Sequence, residues 1–496
     1  MPDRPGESHF MTWREKWALI LITLFGAGLR LFRLDAQSVW YDESFSVAHA
    51  GRPLGELFKI LIQDFVHPPL HYLVLHYWNS VLGYGAWEAR LLSVVFGTLC
   101  IPVLYVLARR FSDVGPSLCA AFLLAISQVG VYFSQEARPY MQAQLLALLA
   151  AVTFLSFIEQ PSWKRTVLFG VTGTGLLYTH YYGAASLLAL GVYWLIFRRD
   201  YSPKAAWRLA GVALAMLAVF ALWLQTVAPG IRAGRPGVFA RQQDPSKQAG
   251  IAAPLQALSR FNNAKFVSIE ASTTIPQALA AACVFTVPAA IAVFLRRRRE
   301  SRGAILGWLL ASFPVGMAIL GYTLGMLFNY RHYSFAVAGY CLAVAMGWRI
   351  CFGESRLRWA WLAVAAVLSG AALHANYTVQ TKPDYRAGFL PLSRAYAPGD
   401  CVAGRPRRWS NRVHLAWEVY YREQPLRLAP FDDLPEVPSP CERLWVVWDR
   451  TWWMNTDREE AGRALEVLAE VQKNYRVERR FEHPAIDLEL LVKRGD

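Results

Sequence analysis

The chain has 496 residues, 55% of them hydrophobic and 18% charged, and 51 Lys and Arg against 36 Asp and Glu give it a formal charge of +15. Its apolar residues arrive in long blocks rather than periodic stripes, which excludes an ordinary soluble globule. Its cations sit in short clusters between those blocks, which excludes nucleic acid as a partner and reads as membrane topology.

The first block, Lys16 to Phe32, approaches the ~20 apolar residues that cross a hydrocarbon core. Arg30 and Arg33 at its far end, with no small-residue cleavage pattern, mark an uncleaved anchor rather than a signal peptide. Beyond it, Pro69 to Gly83 is only about fifteen residues long, opens with two prolines and carries His71, His76 and Asn79, which suits a helix lying in the interface. The charge rule agrees. The clusters Arg109-Arg110, Lys164-Arg165, Arg198-Arg199, Arg296 to Arg299 with Arg302, and Arg349 through Arg358 all face the cytoplasm only if 69–83 does not cross.

Spans near 16–33, 89–108, 116–133, 140–158, 166–181, 184–197, 208–228, 276–295, 303–327, 333–350 and 358–376 then satisfy every cluster, making about 11 transmembrane helices. The pair 166–181 and 184–197 is short for two full crossings, but losing both as a hairpin leaves the sidedness of the rest unchanged. The N-terminus is cytoplasmic. Outside lie the first loop 34–88, the tight turn 134–139, His180 to Gly183, the long loop 229–275, Asn329 to His332 and everything after 376. Residues 377–496 turn soluble in composition, with strand-like Leu444 to Trp448 and Leu488 to Val492 and a helical stretch from Glu460 to Tyr475, so a small α/β domain is expected after a membrane domain over 1–376. Five cysteines lie in or beside apolar segments and read as packing residues. Cys401 and Cys441 fall in the outer region, where a disulfide is permitted though not fixed by the sequence.

With this topology, the polar residues that resist a bland reading gather on the outer side. Trp40-Tyr41-Asp42-Glu43 sets adjacent carboxylates beyond the first span; they are either a catalytic pair or solvated acids at a membrane rim. His67-Pro68-Pro69-Leu70 fixes with rigid prolines a side chain able to donate protons or bind metal, and equally suits a helix start. In Ser134 to Tyr140, Arg138 either pairs with Glu136 or offers its planar donors to a phosphate. His180-Tyr181-Tyr182-Gly183 and Tyr330-Arg331-His332-Tyr333 add similar chemistry. Arg331 and Arg30 run against the charge bias, so each snorkels or neutralises an anion.

At these motifs, together with Leu29-Arg30 and Arg90-Leu91, the sequence resembles the polyprenyl-phosphate-dependent glycosyltransferases of GT-C fold, which include the protein O-mannosyltransferases and the bacterial aminoarabinose transferases of lipid A. Lys382-Pro383-Asp384-Tyr385-Arg386 is similar to the start of an outer domain in bacterial relatives. The resemblance implies a multi-pass protein of the bacterial inner membrane that takes a sugar from a polyprenyl-phosphate donor and gives it to a lipid, glycan or protein acceptor. It implies Asp42 as the base with Glu43 beside it, Glu136 as a second acidic site, and Arg138, Arg331 and Arg30 at the donor phosphate. His67, Tyr140, His180, Tyr182 and Tyr330 are substrate-binding candidates. A divalent metal is possible on His67, Glu136 or His180; sugar, acceptor and metal use do not transfer from the family. A lipid-linked saccharide flippase or a surface-polysaccharide ligase is the alternative, though a transporter should carry charge within its helices, and these spans carry almost none.

Overall fold

The computed structural model describes residues 11–232, 260–261, 282–294, 299–323, 330–404, 410–430, 441–450 and 458–494. The loop at 233–259 and 262–275, the cations Arg296 to Arg298 and Asn329 lie outside them. Contacts divide the chain into two units.

The first unit, Met1–Phe32, Phe58–His71 and Leu91–Val379, is helical. Helix α1 (Trp13–Leu31) starts at a capping box in which Thr12 and Glu15 satisfy each other's backbone N–H groups. Every expected span has a helix: α5 (Ala86–Arg109), α6 (Val114–Ala125), α7 (Gln128–Ser134), α8 (Tyr140–Glu159), α9 (Trp163–Thr179), α10 (Gly183–Phe197) and α11 (Pro203–Arg232). After these come a π turn with α12 (Val287–Phe294), then α13 (Arg299–Thr323), α14 (Val337–Phe352) and α15 (Leu357–Thr378). Among the described residues, six are long and apolar enough to cross a membrane by themselves, seven if the pair α6 and α7, bent by 53°, is one span. The shortfall from eleven has plain causes. Arg14, Glu15, Lys16 and Arg30 load α1 with charge, α9 and α10 have only 17 and 15 residues, and the described part of the expected span 276–295 is the short apolar helix Ala282–Phe294.

Outward-facing Leu214, Leu217 and Leu222 on α11 and Val364 and Val367 on α15 stay exposed, as hydrocarbon-facing residues must. Inside, α13 and α14 approach so closely that a Cβ on Gly307 would lie 2.5 Å from the Gly339 carbonyl oxygen, the small-residue contact by which membrane helices pack.

The second unit, Arg33–Leu57, Tyr72–Arg90 and Gln380–Asp496, joins most of the loop after α1 to the C-terminal region. That loop has no helix long enough to cross a membrane by itself. It forms α2 (Tyr41–Ala50), α3 (Leu54–Asp64) and α4 (Leu70–Leu82), of 10, 11 and 13 residues. The C-terminal part carries α16 (Tyr385–Gly388), α17 (Leu390–Ala395), α18 (Ser410–Tyr420) and α19 (Arg458–Asn474) with strands β1 (Cys401–Gly404), β2 (Arg427–Pro430), β3 (Arg443–Asp449), β4 (Tyr475–Phe481) and β5 (Ile486–Lys493). The sheet order is β2-β1-β3-β5-β4, with β1 parallel to β2 and β3 and the remaining pairs antiparallel. Strand alternation sends Trp445 and Val447 to one buried layer with Phe389 and Trp417, and Leu444 and Val446 to another with Leu468 and Val471. Both faces are covered, which is why β3 reads as a continuous apolar run.

Cys401 and Cys441 form the disulfide that the sequence permits, with Cα atoms 5.8 Å apart and a sequence separation of 40. Closing a loop of that length limits the unfolded chain enough to contribute about 4 kcal/mol. The double variant Cys401→Ser/Cys441→Ser should therefore melt well below wild type in detergent, read by intrinsic tryptophan fluorescence; an unchanged midpoint removes the bridge from the stability of this unit.

Candidate functional site

Each unit gathers a polar constellation. In the second unit, Asp42 and Glu43 occupy the first turn of α2, where the partial positive charge of a helix N-terminus favours carboxylates. Asp42 is half-buried, whereas Glu43 is fully enclosed. Arg90 at the start of α5 donates to both Glu43 oxygens, Nε to Oε1 at 2.8 Å and Nη2 to Oε2 at 2.9 Å, and Lys382 Nζ donates to Oε2 at 2.8 Å. The same guanidinium donates to the carbonyls of Leu34, Gln37 and Ser38. Burial alone pushes the Glu43 carboxyl up, but Arg90 and then Lys382 outweigh it and bring it down to about 2. The acid beside Asp42 is thus the anion of a buried ion triad.

In the first unit, four chain segments bring imidazoles and phenols together. His67 lies just before α4, Tyr140 opens α8, His180 and Tyr182 form the turn between α9 and α10, and His332 enters α14 through a short 3-10 helix. The His180 ring centroid is 5.2 Å from His67, 5.9 Å from Tyr140, 5.6 Å from Tyr182 and 5.9 Å from His332, while Tyr182 stacks on His332 at 5.3 Å. His71 Nδ1 lies 3.0 Å from the Gln142 side-chain oxygen, and Gln142 donates onward to Thr179. His67 and His180 are almost wholly buried, yet His67 Nδ1 and His180 Nε2 meet no hydrogen-bond partner among the described residues. Burial, reinforced by Arg138 and the neighbouring imidazoles, holds His67 well below its usual pKa, so it is neutral and can accept a hydrogen bond.

Glu136 and Arg138 are also buried, and the Arg138 amide donates to the Glu136 carbonyl, tightening the turn. No group of three His, Cys, Asp or Glu is placed to hold a metal among the described residues, so His67, Glu136 and His180 do not meet as one ligand set. Arg331 is half-buried, and the side chain of Tyr330 lies outside the described residues.

Arg30 departs from the role expected for it. Its guanidinium is fully buried and donates to Ser134 Oγ and to the carbonyls of Gly26, Leu124 and Ala125. The last two are carbonyls at the end of α6 that lose helical partners where the chain bends into α7, so Arg30 caps a break. The sequence signal, a cation opposing the charge bias, is satisfied inside the protein. The same signal marks Arg90, near the N-terminal end of α5, and it goes unread for lack of a partner to assign.

A family model described as dolichyl-phosphate-mannose-protein mannosyltransferase matches residues 66–223, which include His67, Glu136, Arg138, Tyr140, His180 and Tyr182. No curated protein sequence matches the chain. Among solved structures, ArnT from Cupriavidus metallidurans bound to undecaprenyl phosphate superposes with a TM-score of 0.62 at 14% identity, covering 96% of this chain and 98% of that one. The chain has the GT-C fold. Apo ArnT gives a TM-score of 0.65, also at 14% identity, over 97% and 98% of the two chains. The oligosaccharyltransferase of Archaeoglobus fulgidus, another structure sharing the GT-C fold, gives 0.58 at 13% identity over 95% of this chain and 73% of that one. The resemblance to the polyprenyl-phosphate-dependent glycosyltransferases therefore stands, and the GT-C protein described here is a multi-pass membrane protein.

Proposed function

We propose that this protein transfers a sugar from a polyprenyl-phosphate donor to an acceptor hydroxyl on the extracytoplasmic side of the bacterial inner membrane, inverting the anomeric centre. The observation that carries this reading is the whole-length likeness to a GT-C structure that holds undecaprenyl phosphate. The disulfide supports the sidedness, since such bonds persist in oxidising compartments.

A polyprenyl phosphate leaves readily, so the protein must hold an anion, orient a sugar and remove one proton. Asp42 takes the acceptor proton. Arg138 and Arg331 stabilise the departing phosphate, and Glu136 is a second acidic residue toward the acceptor. Neutral His67 and His180, with Tyr140 and Tyr182, offer unpaired ring nitrogens and aromatic faces to sugar hydroxyls. Glu43 and Arg30 are assigned structural roles, because their hydrogen-bonding capacity is committed to the protein itself.

The test is incubation of purified protein with a panel of radiolabelled polyprenyl-phosphate sugars and extracted membrane acceptors. Label transfer from one donor is expected. Movement of donor across sealed vesicles with no transfer would replace this reading with a flippase.

A further inference from the structure

The segment Thr381–Arg386, which opens the C-terminal region, touches the chain that carries Asp42 at Thr381, Lys382 and Arg386. Thr381 donates from its amide and hydroxyl to the Gln37 side-chain oxygen, at 3.1 and 2.9 Å. Lys382 reaches Glu43. The Arg386 amide donates to Ser38 Oγ at 3.2 Å, and its guanidinium donates to the Asp35 carboxylate at 2.8 Å and the Asp35 carbonyl at 3.0 Å. From α18, the Tyr420 hydroxyl accepts the Val39 amide at 2.5 Å, and Glu418 takes Arg52 in a two-oxygen contact at 2.8 and 3.0 Å. Residues 35–43 have no regular structure before Tyr41 and are held by these bonds together with those of Arg90 to the Gln37 and Ser38 carbonyls.

We infer that the C-terminal region is a clamp that positions the catalytic carboxylate, with Lys382, acting through Glu43, as a positioning residue for Asp42. The inference rests on Asp42 being the base. Two features separate this from ordinary packing. Lys382 and Glu43 are both enclosed, so their contact is not a screened surface pair of negligible strength. Glu43 also adjoins Asp42 within one helical turn, so a shift of its carboxylate moves the neighbouring backbone, and small misplacements of a reacting group reduce rates by about 10²-fold. Arg90 still holds Glu43 when Lys382 is gone, so the helix should persist with its first turn loosened rather than unfold.

The experiment compares Lys382→Met, Lys382→Arg and wild type as full chains in detergent, by hydrogen exchange over residues 35–46 and by transfer kinetics. Lys382→Met should exchange faster across 35–46 and lose about 10²-fold in kcat, with donor KM within about threefold of wild type; Lys382→Arg should restore most of both. Should Lys382→Met fail to fold, Gln37→Ala removes the acceptor of both Thr381 bonds while sparing the ion triad, and should show the same two changes at smaller size. Unchanged exchange over 35–46 overturns the clamp. Faster exchange with full transfer overturns the positioning role. A wild type that transfers no sugar refutes the proposed reaction instead, and the exchange data still decide the clamp.

Discussion

Asp42→Asn should lower sugar transfer by about 10²–10⁴-fold, the usual contribution of a positioned general base, while the protein stays folded and donor KM changes little. The amide copies the shape of the carboxylate and removes only its charge and basicity. Asp42 keeps partial access to solvent in the first turn of α2, so the substitution leaves no buried charge behind. Glu43 cannot rescue it, because Arg90 and Lys382 occupy both of its oxygens. Single-turnover transfer from the donor found active in the panel gives the cleanest reading, since it separates chemistry from product release. Full activity in Asp42→Asn would remove this residue from the mechanism and direct attention to Glu136. A loss of donor affinity with unchanged single-turnover rate would make Asp42 a binding group.

Much of the fold was legible because hydrocarbon leaves the backbone few options. Apolar length and the placement of arginines were enough to put a helix at each of the eleven expected spans, and the short segment Pro69 to Gly83 forms a helix of only 13 residues. In the soluble part, the apolar run at Leu444 to Trp448 announced a strand covered on both faces. The bend between α6 and α7 was not legible, since it depends on Arg30 arriving from 94 positions earlier in the chain to take the Leu124 carbonyl. The candidate residues divided in the same way. Residue type and position singled out Asp42, His67, Arg138 and His180, but type alone cannot tell a cation held for a ligand from one consumed by its own protein. Glu43 and Arg30 look like chemistry in sequence and become architecture only when Arg90, 47 positions on, and Lys382, 339 positions on, are seen beside Glu43. Lys382 stood in a recognisable segment, yet nothing local announced its partner.

Glu43→Gln should be the most destabilising single change in this network, costing about 3–5 kcal/mol, more than either cation removed alone. The reason is charge balance. The triad holds two cations and one anion, so losing Lys382 or Arg90 leaves a neutral buried pair, whereas losing the carboxylate leaves two enclosed cations facing each other. Acid should expose the same interaction. Because folding depresses the Glu43 pKa from its usual 4.5 to about 2, its stabilisation is fully present above pH 4.5 and is lost as pH falls through 2. Wild type should therefore lose thermal stability between those limits, and Glu43→Gln, already without the charge, should show a flatter profile over the same window. Melting curves of both proteins in detergent at pH 6 and pH 3 make the comparison. Equal midpoints at pH 6 would show that Arg90 and Lys382 find other partners, and the buried triad would then be a consequence of the fold rather than one of its supports.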